Sequence, residues 1–437
     1  TINSVAAELT RRGYKMKRFF HPRLQTEQEA KKARKQSEEK DDRNAGRRFG
    51  TSHLHIVLDV LVDAKEARSL KTSLESILKD VALSNKDWPA MLDFLKDTMS
   101  RIEQNLKVFP EKAVKEHQDF LNYLYNDNFT LLGTCEFDLT KKTPTYTRNY
   151  GLLSNDRSQP YLDFDTEGMP LWTNIGNSKR SPLIVTKLRT RATVHRIVPL
   201  DAVSVTIFDE KSNPVKELVL IGLFTSVTYS RSIQDVPYLR QKADAIVQQS
   251  GFMPAGHDYK ALRHILERFP RDELFQIDGD ELARIAMDIM RLQQQPRIAL
   301  FTRNNPFNNL FSCLVYIPRE QFDTRLRLRV QKILEDELDG LCENFYTTMD
   351  DSILARVLLI FSTKEQIDHS WDLEGIEKKI QENCRPWADR FAESSEQQYE
   401  NPQTCARITR KYGDAFPSEY RERVQPKHAL YDVTKIE

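Results

Sequence analysis

The sequence predicts an α+β protein made of several small antiparallel-sheet domains joined by helical segments. Two patterns support this class. Stretches in which apolar and polar residues alternate, typical of half-buried strands, are concentrated at 130–227 and 297–362. Between them, apolar residues recur at three- and four-residue steps, typical of amphipathic helices, as at Met91, Leu95, Met99 and Ile102. The length of 437 residues is enough for roughly two to four such domains.

Composition excludes two classes of partner. Charged residues make up 30%, and the net charge is only +1, whereas nucleic-acid binders usually carry a clear basic excess. No run of apolar residues is long enough to span a membrane. Five cysteines are far apart, with no C-x-x-C pair, and we expect buried free thiols in the cytoplasm. The first residue is not Met, so we also expect either a start inside a longer protein or a removed tag.

Residues 1–85 are predicted to form the first small domain, with helices covering one face of an antiparallel sheet. Asn3 or Ser4 is expected to cap the first helix at 3–13. The other expected elements are strands at 14–20 and 52–61 and a helix at 64–79. The charge run at 27–48 is interpreted as a solvated linker, with an anion-binding arm as the alternative.

The middle of the chain divides into a helical linker at 86–128, a β-rich domain at 129–230 and a helical segment at 231–295. Five strands are predicted in the β-rich domain, at 130–139, 146–153, 183–188, 203–208 and 217–227. Three helices are predicted in the helical segment that follows, at 236–249, 259–269 and 280–294.

A β-β-α-β-β domain is predicted at 296–363, from strands at 297–302, 311–317, 343–348 and 354–362 and a helix at 324–338. Residues 364–437 are expected to be helical throughout. Because these helices are strongly polar, we expect them to cross between domains or to cover the surface of a partner.

Motifs for catalysis and cofactor binding are missing from the sequence. None of the 14 glycines forms a G-x-G pair, so the dinucleotide fingerprint is absent. Gly251 and Gly256 have P-loop spacing but are followed by His257 and Asp258, without the lysine that contacts phosphate. We therefore predict no catalytic, cofactor-binding or metal-binding residue. His53 and His55 could bind a metal on one strand face, but surface histidines are the favoured interpretation.

The candidate regulatory residues lie in two places. In RHILERFPRDELFQI, 263–277, Arg271 could clamp a carboxylate, and Asp272 could cap the next segment. The favoured alternative is that this acidic and basic cluster forms ion pairs and that His264 is buried and hydrogen-bonded. Asn304, Asn305 and Asn308 are expected to form a turn, with binding of a free amino acid as the alternative.

Several segments resemble the large bacterial NAD-specific glutamate dehydrogenases. The resemblance is carried by GLFTSVTYSRSIQDVPYLRQKADAIVQQSGF (222–252), LFTRNNPFNNLFSCLVYIPREQFDTRLR (300–327), RKYGDAFPSEYRE (410–422) and NDNFTLLGTCEFDL (126–139). It implies ACT-like domains at 1–85 and 296–363 and a PAS-like domain at 129–230. The helical segment at 364–437 would lead to a catalytic domain beyond the last residue.

The same resemblance implies an intact enzyme that oxidises L-glutamate with NAD, while this chain, which lacks the family's catalytic lysine and glycine-rich motif, would be regulatory. Its partners would be its own catalytic domain, other subunits of a homo-oligomer and a free amino acid as allosteric effector. Two alternatives remain open at this point. One is a stand-alone amino-acid-sensing or scaffold protein, and the other is an enzyme with an unrecognised site.

Overall fold

The computed structural model describes residues 1–24, 51–141, 145–154, 161–162, 181–304, 310–363 and 371–437. They form two compact units, residues 1–241 and residues 242–437. Both units combine helices with antiparallel sheets, which confirms the predicted α+β class. No helix among the described residues is long and apolar enough to cross a membrane.

The first 86 residues form two short antiparallel ladders between helices. The elements are α1 (Ile2–Arg11), β1 (Met16–Phe20), β2 (Arg23–Leu24), β3 (Thr51–Ser52), β4 (His55–Leu58) and α2 (Ala64–Lys86). Strand β1 pairs with β4, and β2 pairs with β3. Leu54, Ile56 and Leu58 pack against the buried side chains of Val5 and Leu9. The charge run at 27–48 lies outside the described residues.

The predicted cap of α1 is wrong. The helix begins directly after Thr1, so Asn3 and Ser4 lie inside it. The Ser4 hydroxyl instead accepts a hydrogen bond from the backbone N–H of His195 at 3.0 Å. The start of α2 does have a side-chain cap, because Asp63 accepts from the N–H groups of Lys65 and Glu66, each at 2.8 Å.

A five-stranded antiparallel sheet follows two helices, α3 (Trp88–Arg101) and α4 (Glu111–Tyr123). Its strands are β5 (Phe129–Asp138), β6 (Thr145–Gly151), β7 (Leu183–Arg191), β8 (Pro199–Phe208) and β9 (Pro214–Phe224), in the order β6-β5-β9-β8-β7. All five predicted strands are present. The pairing of β9 with β5 is close at Gly222, where an added Cβ would lie 2.1 Å from the carbonyl oxygen of Thr130.

Helices then follow one another up to residue 294. They are α5 (Ser226–Ser230), α6 (Leu239–Gln249), α7 (His257–Arg268), α8 (Arg271–Gln276) and α9 (Gly279–Gln294). The boundary between the two units falls within α6. Helix α8 was not predicted. Asp278 caps α9 by accepting from the N–H of Asp280 at 2.9 Å.

The β-β-α-β-β unit is present and is extended by a further helix. Its elements are β10 (Ala299–Asn304), β11 (Leu310–Pro318), α10 (Thr324–Leu338), β12 (Gly340–Thr348), β13 (Leu354–Thr363) and α11 (Leu373–Asn383). The strand order is β10-β11-β13-β12, and every pairing is antiparallel. One face of this sheet packs against α10 and α11 through a core that includes Cys313, Val315, Leu334, Leu359 and Ile380.

The final helices form their own core; the expectation that they also cross between domains or cover a partner surface stays a prediction. They are α12 (Trp387–Gln398), α13 (Pro402–Tyr412), α14 (Ser418–Arg423) and α15 (Pro426–Ile436). Trp387, Phe391, Ile408, Leu430 and Val433 are buried together. Each of these helices buries only a few residues, and its exposed face is polar. The amino-acid composition of the helices is therefore mostly polar although they share a core.

The cysteines are free thiols, as predicted. Cys135, Cys313, Cys384 and Cys405 are buried, and Cys342 is partly buried. Burial raises the pKa of the Cys384 thiol to about 11, so this thiol stays protonated and unreactive at neutral pH.

Candidate functional site

A buried ion pair joins helix α8 to the four-stranded sheet of the second unit. Arg303, on β10, donates from Nε to Oε2 of Glu273 at 2.5 Å and from Nη2 to Oε1 at 3.2 Å. The Ser312 hydroxyl donates to the same Oε1 at 2.8 Å. Only 9% of the Arg303 side chain and 6% of the Glu273 side chain are exposed. The carboxylate is therefore held by a guanidinium fork and a hydroxyl.

The register of the sheet brings the two sheet residues of this cluster together. Arg303 lies opposite Ser312 in the β10–β11 ladder. Neighbouring residues Phe311 and Cys313 belong to the core on the α10 side. Because side chains alternate along a strand, Ser312 and Arg303 point to the opposite face. The ion pair thus lies on the sheet face that α10 and α11 leave uncovered.

Helix α8 is also held at its other end. Nζ of Lys242 donates to the carbonyl oxygens of Leu274 and Ile277, each at 2.8 Å. Helices leave their last carbonyl groups without intrahelical partners, and a lysine there satisfies them. Burial lowers the pKa of Lys242 to about 7, and the nearby Asp278 opposes this shift.

A second set of polar contacts fixes the end of α7 to the same sheet. Arg356, on β13, donates to the carbonyl oxygen of Arg268 and to the Thr348 hydroxyl at 3.2 Å. The Arg268 guanidinium lies 2.5 Å from a carboxylate oxygen of Asp350. The helices α7 and α8 are therefore attached to the sheet at two separate places. We refer to both sets of contacts as the helix–sheet junction.

The first unit contains a comparable network on its five-stranded sheet. Glu136, on β5, accepts from Arg148 at 2.7 Å, from Lys216 at 2.7 Å and from Arg101 at 3.2 Å. Burial opposes ionisation of Glu136, but the hydrogen bonds from Lys216 and Arg148 hold its pKa at about 2. Arg101 belongs to α3, so this network fastens α3 to the sheet.

Comparison with known proteins shows which sequences this chain is similar to. Three family models match successive parts of the chain. They describe glutamate dehydrogenase helical motif 1 at residues 236–295, the glutamate dehydrogenase ACT2 domain at 299–388 and glutamate dehydrogenase helical motif 2 at 402–437. The NAD-specific glutamate dehydrogenase of Halomonas elongata is 29% identical over 453 aligned residues, which cover 100% of this chain. The chain is therefore similar to part of the large NAD-specific glutamate dehydrogenases.

Two further relatives carry the same name. The NAD-specific glutamate dehydrogenase of Pseudomonas aeruginosa is 27% identical across 100% of this chain. That of Mycobacterium tuberculosis is 23% identical across 89% of it. The chain spans only 27% of the length of the Halomonas and Pseudomonas relatives.

The family models divide the glutamate dehydrogenase chain at the helix–sheet junction. Helical motif 1 covers α6 to α9, which supply Lys242, Arg268 and Glu273. The ACT2 domain begins with β10 and supplies Arg303 and Arg356. The junction therefore joins two modules that the glutamate dehydrogenase family treats as separate.

The structure places Arg271 and Asp272 next to the junction but gives them local partners. Only 8% of the Arg271 side chain is exposed, and its guanidinium lies 2.9 Å from the Glu267 carboxylate. This is one of the ion pairs expected for the cluster, and ligand binding by Arg271 stays a prediction. The prediction that Asp272 caps α8 is wrong, because the cap position is Pro270 and no side chain accepts a hydrogen bond there.

The other residues that the sequence suggested as site residues lie away from the helix–sheet junction or outside the residues that the structure describes. Asn304 ends β10 and pairs with Phe311, whereas Asn305 and Asn308 lie outside the described residues. His264 is exposed, so its expected burial is wrong. It falls on the outward face of α7, while Leu262, Ile265 and Leu266 face inward.

His53 and His55 are both exposed. Within the ranges that the structure describes, no group of three or more His, Cys, Asp or Glu is arranged to hold a metal ion.

Sequence reasoning identified Glu273 as part of a charged cluster but missed Arg303 and Lys242. Arg303 follows Phe301 and Thr302 in a strand with apolar positions on both faces, where a charged residue needs a buried partner. That signal was present in the sequence. The identity of the partner was not, because Glu273 and Arg303 are separated by 30 positions.

Proposed function

We propose that this chain is the amino-terminal regulatory and assembly region of an NAD-dependent glutamate dehydrogenase. The intact enzyme would convert L-glutamate, NAD and water to 2-oxoglutarate, ammonia and NADH in the cytoplasm. NAD and the reacting atoms would be held by a catalytic domain outside these residues. The partners of this region would be that domain, other subunits of a homo-oligomer and a free amino acid as allosteric effector.

The observation that carries the proposal is the coincidence of the three matched modules with successive structural blocks. Helical motif 1, the ACT2 domain and helical motif 2 follow in the chain as α6–α9, β10–α11 and α13–α15. The relatives that match the whole chain are named as NAD-specific glutamate dehydrogenases.

The chemistry of the junction supports a regulatory role more than a catalytic one. Glu273 is neutralised by Arg303, and Lys242 is occupied by backbone carbonyl groups. Groups satisfied in this way stabilise one arrangement of helices on a sheet. Two polar attachments hold the helices of one module on the sheet of another. An effector that binds one arrangement of these helices more tightly would shift the equilibrium towards that arrangement.

The test compares the 437-residue chain with the longer protein from the same gene. We expect the longer protein to reduce NAD when L-glutamate is added, as followed by the absorbance of NADH, and the chain alone to be inactive. In the longer protein, Glu273→Gln should change the dependence of rate on glutamate concentration. Glu267→Gln, which removes a charge from a partly exposed pair beside the junction, is the matched control.

Three results would contradict the proposal. Activity of the 437-residue chain by itself would mean that it contains an unrecognised catalytic site. A gene that ends at the end of this sequence would favour a stand-alone sensor or scaffold protein. If the longer protein is active and Glu273→Gln has the same kinetics as the unchanged enzyme, the junction takes no part in regulating the enzyme.

A further inference from the structure

A cavity lies between α12 and α13, the first two helices of the final helical core. Its volume is about 510 Å³, within the usual range for sites that bind small molecules. The lining includes side chains from both helices and from the turn between them, namely Ala392, Glu396, Tyr399, Glu400, Ala406 and Arg410. The cavity is therefore formed by one helical hairpin within the second unit.

Small side chains leave this space open while the hairpin itself is held together. Ala392 and Ala406 lie on α12 and α13, where longer side chains would fill the cavity. Beside them, the Sγ of Cys405, a residue that is 7% exposed, donates to the carbonyl oxygens of Tyr399 at 3.2 Å and Ser395 at 3.5 Å. The cavity is thus a feature of packed helices and not a gap between helices that have separated.

Three charged side chains that line the cavity have no partner in the part of the chain that the structure describes. Glu396, Glu400 and Arg410 are exposed, and none of them forms an ion pair or a side-chain hydrogen bond with another described residue. By contrast, Arg407 of the same helix does not line the cavity and pairs with Glu437. Two carboxylates and one guanidinium are therefore free to contact a ligand in the cavity.

We propose that this cavity binds an α-amino acid with a cationic side chain, such as lysine. The guanidinium group of Arg410 would hold the carboxylate of the ligand through paired hydrogen bonds. Glu396 and Glu400 would hold its two cationic groups. Two carboxylates less one guanidinium give these three groups a net charge of one negative, and the ligand has the opposite net charge.

The same charges disfavour ligands of other classes. A second carboxylate, as in L-glutamate or 2-oxoglutarate, would face Glu396 and Glu400 and be repelled. An amino acid with an apolar side chain would leave one of these carboxylates without a cation, and a diamine would bring two cations next to Arg410. Specificity would therefore come from repulsion as well as from matched charges.

This inference deepens the proposed function, because it names the class of amino acid that would act as effector. It rests on the proposed function for any effect on enzyme rate. Binding itself requires only α12, α13 and the turn between them. A bound ligand would connect the two helices through Glu396 and Arg410 and so stabilise their arrangement.

Titration calorimetry of the 437-residue chain with a series of ligands tests the proposal at constant ionic strength. We expect saturable binding of L-lysine. Norleucine, which lacks the side-chain cation, and cadaverine, which lacks the carboxylate, should each bind roughly tenfold more weakly or less, the usual scale for a lost charge-assisted hydrogen bond. Failure of L-lysine to bind, or equal binding of all three molecules and L-glutamate, would overturn the proposal.

Substitutions assign the ligand groups to the side chains. Arg410→Gln should weaken binding of L-lysine roughly tenfold without weakening that of cadaverine, which has no carboxylate. Glu396→Gln should weaken the binding of both. Arg407→Gln is the matched control, because it removes the same charge from the same helix outside the cavity. Equal weakening of L-lysine binding by Arg410→Gln and Arg407→Gln would contradict a site at Arg410.

Filling the cavity provides a test that does not remove a charge. Ala406 is exposed, so Ala406→Leu should leave the melting temperature of the free chain unchanged while its larger side chain occupies the cavity. L-Lysine should raise the melting temperature of the unchanged chain but not that of Ala406→Leu. An equal increase in both proteins would show that the ligand binds elsewhere.

The site and the proposed function can fail separately. If the 437-residue chain does not bind L-lysine but the longer protein oxidises L-glutamate, the site is excluded and the proposed function stands. If the chain binds L-lysine through Arg410 but the longer protein does not oxidise L-glutamate, the site stands and the proposed function is excluded.

Discussion

Arg303 Nε lies 2.5 Å from Oε2 of Glu273, and less than a tenth of either side chain is exposed. The two residues belong to different modules, a short helix and the first strand of a sheet. Removing one partner of a buried ion pair leaves the other charge in a poorly solvated place. The stability of the helix–sheet junction should therefore depend on keeping both residues or neither.

The first prediction concerns this pair. Glu273→Gln and Arg303→Met should each lower the free energy of unfolding of the second unit by about 3–5 kcal/mol, measured by urea unfolding. The double substitution Glu273→Leu with Arg303→Met should cost clearly less than the sum of the two single changes. Asp336→Asn is the control, because both side chains of its pair with Lys332 are exposed, and it should cost about 1 kcal/mol or less. Additive costs in the double variant would contradict direct coupling.

The second prediction concerns pH and His117. The imidazole of this residue is 6% exposed, and burial lowers its pKa from 6.5 to about 4, although Glu116 opposes the shift. The unfolded chain then binds the proton more readily than the folded chain. Stability should be complete above about pH 6.5 and should fall by about 3 kcal/mol as the pH drops to about 4.

Urea unfolding of the first unit between pH 7 and pH 4.5 measures this loss. His117→Phe should flatten the curve over that range. His53→Gln alters an exposed histidine of the same unit and should leave the curve unchanged. A curve that remains equally steep in His117→Phe would assign the pH dependence to other groups.

The third prediction concerns Glu136. Its carboxylate is 3% exposed, but Arg101, Arg148 and Lys216 are 25%, 34% and 41% exposed. We therefore expect Glu136→Gln to cost roughly 2 kcal/mol at pH 7, less than for a fully buried pair. Because the pKa of Glu136 is lowered from 4.5 to about 2, this stabilisation is present above pH 4.5 and is lost as the pH falls towards 2. A difference between the two proteins that persists at pH 2 would argue against an ionic origin.

The fourth prediction concerns backbone contact between β5 and β9. Gly222→Ala would place a Cβ 2.1 Å from the Thr130 carbonyl oxygen, so the strands would have to separate. We expect a loss of about 2–3 kcal/mol, the upper part of the usual range for single substitutions, measured by thermal unfolding. Gly279→Ala is the matched control, since nothing lies within 4 Å of its added Cβ. If Gly222→Ala leaves the stability unchanged, the β5–β9 ladder can move apart at this point at little cost in free energy.

Local patterns in the sequence predicted the regular elements well. The limits of α10 agree with the predicted 324–338, because its apolar positions keep a helical spacing from the cap at Asp323 to the end. Helix α8 was missed because its six residues are too few to show a helical period. Its length is set by Pro270 and by contacts from Lys242 and Arg303, which come from other parts of the chain.

The candidate sites were harder to predict than the fold. Periodicity indicates which face of a helix is buried, but it assigned the wrong face to His264. The contacts of Arg303 with Glu273 and of Lys242 with the end of α8 depend on how separate elements pack. A single sequence contains the charges but not the distances between them, and these distances decide whether a charged residue forms a structural pair or a binding site.

The contacts of Lys242 and Asp278 have an electrostatic consequence at the corner between α8 and α9. When it is protonated, below its lowered pKa of about 7, Lys242 places a cation at the negative end of α8, and Asp278 places an anion at the positive start of α9. Each charge matches the dipole of the helix it touches. Exchanging the two residues, Lys242→Asp with Asp278→Lys, would keep their mutual attraction but set both charges against the helix ends. The two charges thus stabilise the corner between α8 and α9 only in their present positions. The same two charges in exchanged positions would not give this stabilisation.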